Sequence, residues 1–158
     1  MQRRVAAAFG EIVAVLLRSP QHRHMFLADL EWLILPAIAT GQFALAEARQ
    51  KETGMAAPVA VVLWASVADE VDARLVSACA SVAHQQPRVR LKPSEWASGG
   101  NAWLVEAVGD QRAVKALVDQ TLAGPLKGRG LKVATRGADG KPAMQILRAG
   151  EGGAAAAA

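Results

Sequence analysis

The stretch with the most chemistry in it is Ser19-Pro20-Gln21-His22-Arg23. It sets a histidine at a chain corner, after a proline-marked break and ahead of an apolar run ending Leu35-Pro36-Ala37-Ile38. Histidine is the side chain whose ordinary pKa lies nearest neutral pH, so at a corner it suits proton transfer or nucleophilic attack. The same position suits a surface or capping histidine, and the local residues leave both readings open. A second place with chemical content is Gly109-Asp110, where a strand leads into a helix start and Arg112 and Lys115 stand on the first turns. Free backbone N–H groups there can hold a phosphate, and the competing reading is an ordinary strand-to-helix turn. His24 points away from His22 on a helix and reads as a surface residue, and His84 falls in an irregular stretch and receives no role. The single cysteine, Cys79, excludes an internal disulfide and a cysteine-based metal site, so a reducing cytoplasm is expected and no metal site is assigned.

These residues must be positioned by one domain. The chain has 158 residues, 52% of them hydrophobic and 20% charged, the composition of a folded protein with one sizeable core. A domain over residues 1–148 is expected, followed by a disordered Gly/Ala tail at 149–158. The net charge of +4 favours an acidic partner. Nucleic acid is disfavoured, because there is no dense Lys/Arg run and no stacking pattern of aromatic residues. Arg3-Arg4 followed by Val5 to Leu17 resembles a secretory signal, but Glu11 interrupts it and no small-residue cleavage site follows. It is also too short to span a bilayer, so it reads as an amphipathic helix with Val5, Phe9, Ile12, Val13 and Leu16 on its stripe.

Phe26 to Ile38 is a dense apolar segment that starts as helix and is broken or bent at Pro36. Gln42 to Ala48 and Pro58 to Ala65 form a hairpin. Ser66 then caps a helix with Asp69 and Glu70 in its first turn, running to about Val82 with Val71, Leu75 and Cys79 on one face. Residues 84–98 are irregular, and Ala102 to Val108 is a buried strand carrying one acid, Glu106. A helix follows Gly109-Asp110, with Val114, Leu117, Val118 and Leu122 on its stripe, and stops at Gly124-Pro125. Leu131 to Arg136 and Pro142 to Leu147 make a last hairpin around Asp139-Gly140. This order gives an α+β fold, a mixed and mostly antiparallel sheet flanked by helices. The four tryptophans, Trp32, Trp64, Trp96 and Trp103, read as core anchors, Trp96 least clearly because it adjoins a Ser-Gly-Gly turn.

Several stretches together resemble the RTX toxin-activating lysine acyltransferases, the family of the haemolysin-activating acyltransferase. They are Ser19-Pro20-Gln21-His22-Arg23, Leu35-Pro36-Ala37-Ile38, Gln42-Phe43-Ala44-Leu45, Trp64-Ala65, Trp96-Ala97-Ser98-Gly99, Trp103-Leu104-Val105-Glu106 and Gly109-Asp110. They run in family order from about residue 5 to residue 147. The resemblance implies a GNAT-like fold and transfer of a fatty acyl group from acyl-acyl carrier protein, not acyl-CoA, to internal lysines of an RTX protoxin. It implies no tightly bound cofactor, a cytoplasmic homodimer, and no stable membrane insertion. The family's essential histidine falls on His22, with Ser19 and Arg23 of the same motif beside it as substrate-binding residues, together with Arg112 and Lys115.

The family's second catalytic residue is an aspartate, and Glu106 holds its place, one methylene longer. The stretch after Glu106 is two residues shorter than the family pattern and lacks its Trp and Pro-Phe, which marks a divergent member. Under this resemblance Glu106 would hold one ring nitrogen of His22, which would act as a base toward lysine or take the acyl group itself. Arg18, Arg23, Arg112, Lys115, Lys127, Arg129 and Lys132 would offer a docking face to an acidic carrier, or simply a solvated surface. Two other classes compete: a non-catalytic GNAT-like module binding carrier protein or a toxin segment, and an acetyl-CoA-dependent N-acetyltransferase.

Overall fold

The computed structural model describes residues 2–81 and 89–150. The N-terminal stripe folds as helix α1, Gln2–Arg18, burying Ile12, Val15 and Leu16, while Val5 near its start stays exposed. The next apolar run is split. Helix α2, Asp29–Leu33, gives way at Ile34 to α3, Leu35–Thr40, and Pro36 lies in the first turn of α3, where its missing N–H breaks no helical bond. Pro36 therefore starts a helix as much as it ends one. Gly41, at φ 68°, closes α3 in the left-handed conformation.

Strands β1, Phe43–Arg49, and β2, Ala56–Val67, pair antiparallel, and β2 is longer at both ends than the sequence suggests. Helix α4, Asp69–Ser81, a 3-10 turn at Pro93–Glu95 and strand β3, Asn101–Gly109, follow. Then come α5, Gln111–Ala123, β4, Leu131–Arg136, and β5, Pro142–Leu147. The sheet order is β1-β2-β3-β4-β5. Every neighbouring pair is antiparallel except β3 and β4, which run parallel through Ala102 opposite Leu131 and Trp103 opposite Lys132. The α+β expectation holds.

Alternation along β2 sends its residues to two cores. Val61, Leu63, Ala65 and Val67 pack with Trp103, Trp96, and buried residues of α1, α3 and α4. Ala60, Val62 and Trp64 pack with Val114, Leu117 and Leu122 of α5, Leu126 and Leu131. Helices thus cover both faces of the sheet.

Ser66 is not the cap of α4. It lies within β2, because that strand continues two residues beyond Ala65, and its backbone bonds the 96–99 segment instead. Ser98 supplies a hydroxyl at this corner, accepting the Ala68 N–H at 2.9 Å, and Asp69, Glu70 and Asp72 occupy the first turn of α4. Trp96 is fully buried, so the core reading applies to it without reserve. The expected helix end at Val82, His84 and the final residues of the tail (151–158) lie outside the described residues.

Candidate active site

The corner after α1 is tight. Ser19 O accepts the N–H groups of His22 and Arg23, at 3.1 and 3.0 Å, which turns the His22 side chain inward while Arg23 and His24 face solvent. The imidazole is 5% exposed, and both ring nitrogens are engaged. Nε2 lies 3.1 Å from Glu106 Oε2, and Nδ1 lies 2.8 Å from Ser19 Oγ. Nε2 and Glu106 are thus at ion-pair distance, and a neighbouring carboxylate favours the ring proton on Nε2. In that neutral tautomer Nδ1 accepts the Ser19 hydroxyl proton. His22, Ser19 and Glu106, three of the six residues singled out from sequence, therefore stand in one row, joined by a hydrogen bond on the Ser19 side and an ion-pair contact on the Glu106 side.

Glu106 reaches His22 because of an irregularity that the sequence does not announce. Trp103 lies opposite Ala65, and both belong to the core under α1 and α4. Strict alternation from Trp103 would turn Glu106 to the other face, toward α5. Instead the register shifts between Leu63 and Trp64: Leu63 lies opposite Glu106 and Trp64 opposite Leu104, which leaves Val105 as an extra residue. This β-bulge resets the parity, so Glu106 and Val108 join the face of Trp103 and His22. The glutamate side chain is 23% exposed, more open than the ring it holds.

Arg112 and Lys115 are not brought to this row. They are exposed residues of α5, which packs on the opposite face of the sheet, and Lys115 pairs with Asp119 at 2.8 Å. The start of α5 is occupied by the chain itself. Asp110 is its cap, accepting the Ala113 N–H at 2.9 Å. Gly109, at φ 119°, passes so close to Val59 and Ala60 of β2 that a β-carbon would collide with their backbone. An ordinary capped turn describes this place.

Other cations of the expected docking face are also committed. Lys132 Nζ bonds both oxygens of Asp72, at 2.6 and 2.7 Å, and Arg129 donates to Gly100 O and Ser66 Oγ. Arg18 donates to Ala14 O and Pro58 O. Cys79 is buried, and that burial pushes its thiol pKa up, away from nucleophilic use. Among the described residues no group of three or more His, Cys, Asp or Glu could hold a metal ion.

Sequence reasoning gave no role to Gln42, although it quoted the residue. Its buried amide donates to Trp96 O at 2.8 Å, and its backbone carbonyl accepts the Trp64 N–H, so it ties the 96–99 segment to β2. The signals for it were a polar residue opening the expected strand at 42–48 and its place in the Gln42-Phe43-Ala44-Leu45 stretch of the resemblance.

A buried histidine held between a hydroxyl and a carboxylate, on an α+β sheet, is the apparatus of proton and acyl transfer. The chain matches the RTX toxin acyltransferase family (HlyC) over residues 1–146, and it belongs to that family. The activity that goes with the family is acyl transfer, and an RTX toxin is the partner that goes with it. No curated protein matches the chain significantly. No described helix is long and apolar enough to cross a membrane.

Proposed function

We propose that this protein is a protein-lysine fatty acyltransferase that takes its acyl group from acyl-acyl carrier protein and places it on internal lysines of an RTX protoxin. The observation that carries the reading is the Ser19–His22–Glu106 row in a chain of this family. Glu106 fixes the tautomer that leaves the Nδ1 lone pair for chemistry and stabilises the imidazolium that forms. A lysine ammonium at the Ser19 hydroxyl passes a proton to it while the hydroxyl passes its own to Nδ1. The neutral amine then attacks the thioester carbonyl; the C–N bond forms and the C–S bond breaks. The imidazolium gives its proton to the leaving thiolate, and the amine's second proton leaves through Ser19 to the freed Nδ1 and on to solvent. The ring is nearly closed to solvent, so a relay through Ser19 suits this site better than direct contact.

The GNAT-like reading is supported by the antiparallel sheet that turns parallel at β3 and β4. A carrier-borne thioester suits the site better than acyl-CoA, because the Asp110 carboxylate at the start of α5 would repel a diphosphate there. The intact His22–Glu106 pair supports an enzyme over a non-catalytic module. The same reading includes a cytoplasmic homodimer, no tightly bound cofactor, and Arg23, Arg112 and Lys115 as contacts to the macromolecular substrates. The test offers a purified RTX protoxin two donors of equal chain length, acyl-acyl carrier protein and acyl-CoA, and maps acyl-lysine by mass spectrometry. Modification from the carrier donor at a rate at least tenfold above acyl-CoA is expected; equal or preferential use of acyl-CoA contradicts the donor assignment.

A further inference from the structure

Phe26 and Leu27 are 79% and 85% exposed, the highest values among the large apolar side chains described. Single exposed apolar residues are ordinary, but these two are adjacent and follow His22 by four and five positions. Their exposure is built into an ordered turn. Met25 N–H bonds His22 O at 2.9 Å, Asp29 N–H bonds Phe26 O at 2.9 Å, and Leu30 N–H bonds Leu27 O at 3.1 Å. Charge around the turn is one-sided. Arg23 is exposed, and Arg18, whose guanidinium is held by Ala14 O and Pro58 O, keeps an exposed charge beside it. Of the two acids between residues 18 and 35 only Glu31 is exposed, while Asp29 is half-buried and accepts the Trp32 indole N–H.

We propose that the turn from His22 to Ala28 is the docking surface for the donor's carrier, a small acidic protein presenting an apolar helix face edged with carboxylates. The inference rests on the carrier-donor reading above. A carrier must bring its thioester to His22, so it meets the rim of that residue. There the turn offers a two-residue apolar tip for the middle of a contact and, for its edge, the Arg23 guanidinium with the positive charge of Arg18 beside it. A second copy of this chain fits less well, because a two-fold contact here would bring Arg23 against its own equivalent. An anionic bilayer is also a poorer match: two arginines and two apolar side chains give weak, reversible attachment.

The experiment measures binding of a fluorescently labelled acyl-acyl carrier protein by anisotropy at two salt concentrations. It compares the wild type, the double variant Phe26→Ser/Leu27→Ser, and Arg23→Glu, and follows acylation from the carrier donor and from a small acyl-pantetheine thioester. Both variants should bind the carrier roughly ten- to a hundredfold more weakly. The salt dependence should shrink in Arg23→Glu, and the double variant should keep transfer from the small thioester within about twofold. Unchanged carrier affinity in both variants overturns the proposal, as does a wild type that does not bind the carrier. So does a double variant whose measured loss is of self-association or of sedimentation with phosphatidylglycerol vesicles. Carrier binding that depends on the turn, with no acyl transfer by the wild type, supports the docking surface and refutes the enzyme reading instead.

Discussion

Two pairs of acid and base cross from the sheet to the elements packed on it, and they are built differently. Asp72 on α4 receives three hydrogen bonds: two from Lys132 Nζ, and one from the Trp103 indole at 2.8 Å. Lys132 also lies over the Trp103 ring. Both oxygens of that carboxylate are engaged, and its cation is held from two sides. Glu106 on β3 has one side-chain partner among the described residues, His22 Nε2, at the longer distance of 3.1 Å. A carboxylate saturated by donors fastens α4 to the strands where β3 and β4 meet. A carboxylate with one partner and a free oxygen holds a ring whose second nitrogen faces a movable hydroxyl. The saturated pair is structural; the open one can change its protonation during a reaction.

That contrast breaks if either pair behaves like the other. Removing Asp72 should give the largest effect. It leaves a half-buried ammonium and an indole N–H without partners, so Asp72→Ala should lower stability by about 3 kcal/mol, read by urea unfolding. Glu106→Gln should do the reverse, cutting acyl transfer roughly a hundredfold while leaving the urea midpoint nearly unchanged. If Glu106→Gln unfolds the protein and Asp72→Ala stops transfer without unfolding it, the assignment of the two pairs is inverted.

A smaller change sharpens the view of what positions the site. Gln42→Leu removes the bond to Trp96 O and should cost about 1.5 kcal/mol, measured in the same unfolding series, with transfer retained in the folded fraction. The smallest effect concerns Glu95 beneath α4. Burial alone would raise its pKa, but the Lys92 N–H and the Arg74 guanidinium at 2.8 Å outweigh that and hold it below the ordinary value. A depressed carboxylate stabilises the fold above its unfolded-state pKa and loses that contribution as pH falls through the folded value. Glu95→Gln should therefore cost about 0.5 kcal/mol at neutral pH and nothing in acid below the folded pKa, by unfolding at both.

The same contrast shows how much was legible in the residues. The last hairpin was read at its true limits, because its alternation is bounded by Gly130 and by Asp139-Gly140. The Ser-Pro-x-His-Arg corner was legible because the residue before a proline avoids the helical region, which marks Ser19-Pro20 as a break after the amphipathic stripe. Ser66 misled, since a serine ahead of acids looks like a cap, and only pairing with the distant 96–99 segment keeps it in the sheet. The aim of Glu106 was hidden for a similar reason. Parity along β3 depends on a register shift against Leu63 and Trp64, a relation between strands that no single stretch of sequence contains. The resemblance pointed to Glu106, and the bulge explains how it gets there.

The central claim is that His22, held by Glu106 and Ser19, performs the transfer. The direct test incubates an RTX protoxin with acyl-acyl carrier protein and either the wild type or His22→Ala, and weighs the toxin peptides. A fatty acyl mass on lysine with the wild type, absent with a folded His22→Ala variant, is the predicted result. Acylation that survives the substitution contradicts it.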